Sequence, residues 1–175
     1  MNRGYGGATL TDLNHYSDRL IGPHLGLENR RRCRAVAIFV ANDISGNDQD
    51  PTADEVTKRF VSLLNFIRSR DQTIPVFWVE VTPTEKRWHV WSDIESATTG
   101  IRQVLANDTN AHFIGTAGAY LGPDGKPIAS LFVEDKLHLN ANGYQVWAKL
   151  IKAKLHECLG AAIDPDKQRI THDID

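Results

Sequence analysis

Three short apolar runs alternate with four amphipathic ones along the chain. "AVAIFVA" (35–41), "IPVFWVEV" (74–81) and "AHFIGT" (111–116) are rich in β-branched and aromatic residues. Runs that are continuously apolar, rather than alternating, suit strands of a parallel sheet covered on both faces. Between them the period changes to that of a helix. Residues 52–70 set Val56, Phe60, Leu63, Leu64 and Ile67 at three- and four-residue spacing behind Thr52, a side chain suited to an N-cap. Ile94, Ala97, Ile101, Val104 and Leu105 form one stripe over 92–105. Trp147, Leu150, Ile151, Leu155 and Cys158 form another over 142–159, where Asn142 and Gln145 resemble a capping box. A shorter helix is expected over 9–21.

The order helix, strand, helix, strand, helix, strand, helix predicts an α/β fold with right-handed crossovers. Gly22, Pro23 and Gly26 mark a loop, and "GPDGKP" (122–127) marks a turn-rich excursion. One domain is expected over 1–159, followed by a polar tail over 160–175.

Composition narrows the partners. The chain has 175 residues, 41% hydrophobic and 24% charged, with a net charge of −2. That balance gives no electrostatic reason to expect nucleic acid or an anionic membrane surface. Arg30–Arg32 with Arg34 is a short basic cluster, read as a solvated loop ahead of a strand. No stretch reaches the roughly 18 apolar residues of a membrane span. "MNRGYGGATL" lacks the apolar core of a signal peptide, so this N-terminus predicts a cytoplasmic protein; a signal lying upstream would make it secreted or periplasmic. Cys33 and Cys158 lack metal-ligand spacing and read as free thiols. The sequon Asn107-Asp108-Thr109 reads as chance.

In open parallel sheets, ligands bind beyond the carboxyl ends of the strands. That singles out "ANDISGNDQD", "TPTEKRWHVW" and the stretch from 115 to His138. Asp135 and His138 lie three residues apart just before the last helix. A histidine can accept and return a proton near neutral pH, and a carboxylate can orient the ring and stabilise its charged form. The bland alternative is a decoration of the helix N-terminus. A metal site reads less well, because no further histidine or cysteine stands at ligand spacing. Asn42 follows the first apolar run directly and can aim its amide into a cleft; the alternative is a turn-forming Asn-Asp pair. Gly7, in "GYGGAT", suits a backbone of positive φ or a close approach to a ligand.

Together these segments resemble the SGNH (GDSL-like) hydrolase family. "NRGYGGATLTDLNHYSDRL", "AVAIFVANDISG" and "VEDKLHLNANGYQVWAKLI" are similar, in this order, to three of its blocks, from residue 2 to about 155. The resemblance implies a three-layer α/β/α, flavodoxin-like fold and a serine esterase acting on short acyl or acetyl esters without a cofactor. It implies that Asp135 and His138 are the acid and base of a catalytic triad. It also implies that the Gly7 N–H and the Asn42 amide form the oxyanion hole. The implied partner is a small-molecule ester, such as an acetylated sugar or a lipid-like ester.

The sequence departs from the family pattern twice. Val40 stands where the block around Asn42 carries a glycine. The family's first block, a strand ending in the nucleophile serine, is expected ahead of "NRG", and no such segment occurs here. The expectation is a chain that starts late, leaving the first, central strand of the sheet and the nucleophile outside it. Ser17, Ser45, Ser62, Ser69, Ser92, Ser96 and Ser130 are the alternatives, and Ser45 lies nearest Asn42 in sequence.

Trp78 is expected in the core of its strand. Trp88 and Trp91 follow that strand and either wall a substrate pocket or anchor the next helix. Arg87 reads as solvent-facing. Two rivals stand beside the esterase. One is a catalytically inactive relative that binds acyl or glycan groups. The other is a nucleotide-binding flavodoxin-like domain, disfavoured because no glycine-rich phosphate loop follows a strand.

Overall fold

A computed structural model of the chain describes residues 4, 6–29 and 33–160. The basic triplet 30–32 and most of the expected tail, 161–175, lie outside the described residues. Four helices, α1 (Leu10–Leu20), α2 (Ala53–Arg70), α3 (Trp91–Ala106) and α4 (Ala141–Leu159), alternate with three strands, β1 (Val36–Ile38), β2 (Val76–Val79) and β3 (Ala111–Ile114). The strands are parallel in the order β1-β2-β3. Val36 pairs with Val76, and Trp78 pairs with both Ile38 and Phe113. The regular strands are shorter than the apolar runs that announce them, because a run counts as strand only where a neighbour completes the hydrogen-bond ladder.

β2 explains the layering. All four of its residues are buried, and successive side chains point to opposite faces. Val76 and Trp78 join Ile38, Phe60, Leu63, Ile67, Ile94 and Ile101 in the larger core beneath α1, α2 and α3. Phe77 and Val79 join Ile114 in a smaller core against Trp147, Ile151 and Leu155 of α4. The result is helix, sheet, helix. Full burial of each large apolar side chain is worth roughly 1.5–3 kcal/mol.

Helix ends follow local chemistry. Thr52 caps α2 in a reciprocal box with Glu55, and Thr9 caps α1 likewise with Asp12. The start of α4 corrects the expected box: Asn140, not Asn142, is the N-cap, and its Oδ1 accepts from Asn142 N and Gly143 N. Tertiary contacts decide this. Asn140 Nδ2 donates to the Ser130 and Phe132 carbonyls, which fastens the cap to the excursion before it.

Asp43 is buried, and its carboxylate accepts from Leu10 N at 3.0 Å and from Arg59 Nη1 at 3.3 Å. It therefore holds the start of α1 against the loop after β1, a role its place in an Asn-Asp pair does not reveal. Among the described residues no helix is long and apolar enough to cross a membrane.

Candidate active site

Because the three strands run parallel, the loops after β1, β2 and β3 leave the same edge of the sheet. The third loop carries Asp135 and His138. Phe132 and Leu139 form an isolated antiparallel bridge, Val133 N donates to His138 O, and Lys136 N donates to Val133 O. Such a tight reversal needs a left-handed residue. Lys136 takes that role at φ 59°, the one non-glycine with positive φ among the described residues. Inside the turn, Asp135 Oδ1 accepts the Leu137 and His138 N–H groups, each at 2.9 Å. Its other oxygen then lies 2.6 Å from His138 Nδ1. Both side chains are open to solvent, His138 at 67% and Asp135 at 46% relative exposure.

The bond to His138, followed by the two backbone donors, holds the Asp135 carboxyl down at about 2. A depressed carboxyl stabilises the fold above its unfolded pKa, about 3.9, and loses that contribution as pH falls toward 2. A carbon-13 NMR titration is expected to place the Asp135 midpoint near 2. His138→Ala removes the largest cause and is expected to move that midpoint upward. An unchanged midpoint would show that the histidine does not hold the carboxylate.

α4 anchors this loop. Asn140 N donates to the Leu131 carbonyl, and the buried Tyr120 hydroxyl donates to the Gly143 carbonyl at 2.8 Å. A Cβ on Gly143 would collide with the Leu131 carbonyl oxygen. In an open helix, glycine to alanine gains about 0.5–1 kcal/mol. Here the sign is expected to reverse: Gly143→Ala should cost roughly 2–3 kcal/mol through overpacking, read as a lower midpoint in denaturant unfolding.

The loop after β1 presents Asn42. Its Nδ2 donates to the Ala8 carbonyl at 3.1 Å, and its Oδ1 accepts from Arg87 Nη2 at 2.8 Å. Arg87 Nη1 also donates to the Ala41 carbonyl. Gly7, next to Ala8, has φ 80°, and its N–H has no acceptor among the described residues. Gly7 and Asn42 are thereby neighbours. Arg87 lies in the loop after β2, and that loop also reaches the dyad: Lys86 N donates to Lys136 O at 3.2 Å, and Lys136 Nζ pairs with Glu85 at 2.5 Å. A continuous set of bonds thus joins the Gly7–Asn42 corner to the Asp135–His138 turn.

No family model matches the sequence, and no curated protein is similar to it. Solved structures are similar in shape. A carbohydrate esterase family 3 protein from Talaromyces cellulolyticus has a TM-score of 0.65 at 20% identity, over 89% of this chain and 70% of its own. A GDSL-like lipase from Bacteroides thetaiotaomicron has 0.67 at 17% identity, over 89% and 75%. An acetylxylan esterase from Geobacillus stearothermophilus, solved as a catalytic mutant, has 0.67 at 15% identity, over 90% and 70%. The fold is that of the GDSL-like hydrolases.

On this GDSL-like fold, Trp88 and Trp91, expected either to wall a pocket or to anchor the next helix, pack against the larger core. Trp91 is 8% exposed and belongs to the larger core, and Trp88, partly buried, packs against the same core. Their rings stack at 6.0 Å with planes 12° apart. They anchor α3, and Trp91 extends the stripe of Ile94, Ala97 and Ile101 by one step of three. Arg87 departs from its solvent-facing expectation: it is half-buried, and its fork holds Asn42 and Ala41. Burial lowers its pKa, opposed by the charge of Asp50.

Among the described residues no serine hydroxyl bonds to His138. Ser45 Oγ donates to Asp50 and accepts from Asn47, inside a turn that Asp50 closes through three backbone N–H groups. Ser17, Ser62, Ser69 and Ser96 bond to backbone carbonyls of their own helices. Among the described residues Cys33 and Cys158 form no disulfide, and Cys33 Sγ donates to the Ala35 carbonyl. Among the described residues, no group of three or more His, Cys, Asp or Glu side chains is arranged to hold a metal ion.

Proposed function

We propose that the protein is a carboxylic-ester hydrolase of the SGNH type, acting on short acyl or acetyl esters through an acyl-enzyme. The observation that carries this reading is the 2.6 Å Asp135–His138 pair, set on a turn tied to the loop that grips Asn42. The similar structures add weight, since they include a carbohydrate esterase and an acetylxylan esterase. The nucleophile is proposed to be a serine from outside residues 1–175; Ser17, Ser62, Ser69 and Ser96 are bonded to carbonyls of their own helices and Ser45 to Asp50, which supports this.

The chemistry follows from the donor and acceptor inventory. Asp135 accepts the Nδ1 proton, which leaves Nε2 as the base. Nε2 takes the proton of the serine hydroxyl as its oxygen attacks the ester carbonyl. Negative charge grows on the carbonyl oxygen, where the Asn42 amide and the Gly7 N–H are the donors. The imidazolium then returns its proton to the departing alkoxide, and an acyl-serine remains. Water, deprotonated by the same histidine, attacks that acyl group, and the imidazolium returns the proton to the serine oxygen as the acid is released. Acetylated sugars and lipid-like esters are the substrate classes proposed.

A second reading keeps the cleft without the chemistry: an inactive relative that binds acyl or glycan groups. That no serine among the described residues bonds to His138 favours it. Hydrolysis of 4-nitrophenyl acetate by the full-length protein separates the two. The esterase reading expects a burst of 4-nitrophenol followed by steady turnover. A folded protein that binds acetylated sugar and releases no 4-nitrophenol establishes the second reading instead.

A further inference from the structure

We propose that Arg87 is a positioning residue that aims and polarises the Asn42 amide. This rests on the reading of Asn42 as an oxyanion donor. An asparagine amide can sit in either of two flips, and only one presents N–H to a reacting oxygen. Here both ends of the amide are specified. A guanidinium has donors alone, so the atom facing Arg87 Nη2 at 2.8 Å must be Oδ1. A carbonyl has acceptors alone, so the atom 3.1 Å from Ala8 O must be Nδ2. One Nδ2 proton serves Ala8. The second remains for a ligand.

Arg87 holds more than the side chain. Its Nη1 donates to the Ala41 carbonyl, one residue before Asn42, so one planar fork grips the backbone and the amide together. The fork is rigid, which a lysine cannot reproduce. Arg87 is also half-buried, and no carboxylate lies within 4.0 Å of it among the described residues. A cation retained there without a paired anion draws electron density from Oδ1 and strengthens the N–H on the far side of the amide, as hydrogen bonds in series do.

The experiment compares Arg87→Met and Arg87→Lys in the full-length protein, each with and without Asn42→Ala. It reads kcat and KM for 4-nitrophenyl acetate, and by NMR the Asn42 side-chain protons. Arg87→Met is expected to lower kcat by about 10- to 100-fold with KM changed less than about twofold, since the interaction acts in the transition state. Arg87→Lys should lie between. In the Asn42→Ala background, Arg87→Met should change kcat by less than about twofold, because the two act as one unit. The wild-type Asn42 protons should give two resolved signals, one protected from exchange, and Arg87→Met should remove that protection. Equal kcat losses in both backgrounds, or Asn42 signals unchanged by Arg87→Met, would overturn the proposal. Full turnover in Asn42→Ala alone would remove the oxyanion reading, while the NMR comparison still decides whether Arg87 aims the amide.

Discussion

His138→Gln is expected to lower kcat for ester hydrolysis by about 10⁴–10⁶-fold, with the fold intact. Glutamine preserves much of the volume and a polar end but cannot take a proton at neutral pH. The loss should fall on kcat, because the proton transfer belongs to the transition state rather than to substrate binding. The structure also predicts an intact fold: the His138 ring is largely solvent-exposed, and its recorded polar partner is Asp135. The backbone bonds of the turn, Val133 N to His138 O and His138 N to Asp135 Oδ1, do not use the ring and survive the change. Stopped-flow release of 4-nitrophenol beside a thermal melt checks both halves. A His138→Gln protein that retains a tenth of wild-type kcat would exclude the histidine as base.

Asn42→Ala is the second large effect expected, a loss of about 10²–10³ in kcat, the usual cost of one oxyanion donor. Asn42→Asp sharpens the test. An aspartate keeps an acceptor for Arg87 Nη2, so the grip of the guanidinium persists. It has no N–H to give, and it sets a carboxylate oxygen against the Ala8 carbonyl now 3.1 Å from Nδ2. Asn42→Asp should therefore match or exceed the kcat loss of Asn42→Ala. Turnover restored by aspartate would mean that the charge at this corner matters and the N–H does not.

How far the sequence could be read depended on how local each feature is. α2 was fully legible, since its apolar stripe, its Thr52 cap and the answering Glu55 lie within one continuous segment. The burial of β2 on both sides was legible too, from its continuously apolar run, and each of its faces meets the helices that a buried parallel strand requires. The Asp135–His138 bond is equally local, a product of one turn. Where two residues of the same kind compete, locality fails. Asn140 and Asn142 are both capable caps, and carbonyls eight and ten residues back choose between them. Arg87 was misread for a stronger reason. Its acceptors lie 45 and 46 residues away, and nothing in "TEKRWHVW" distinguishes a clamp from a solvated arginine. Trp91 had a visible signal in its three-residue spacing from Ile94, which outweighs its place just beyond a strand.

Two corners of one sheet edge are taken to serve a single carbonyl carbon. A crystal structure of the full-length protein after reaction with an alkyl fluorophosphonate tests this most directly, because the phosphonyl oxygen mimics the oxyanion. The expected result is an adduct on a serine beside His138 Nε2, with the phosphonyl oxygen about 2.7–3.1 Å from Asn42 Nδ2 and from Gly7 N. An adduct that touches neither Asn42 nor His138, or a folded protein that the reagent never labels, would contradict the shared site.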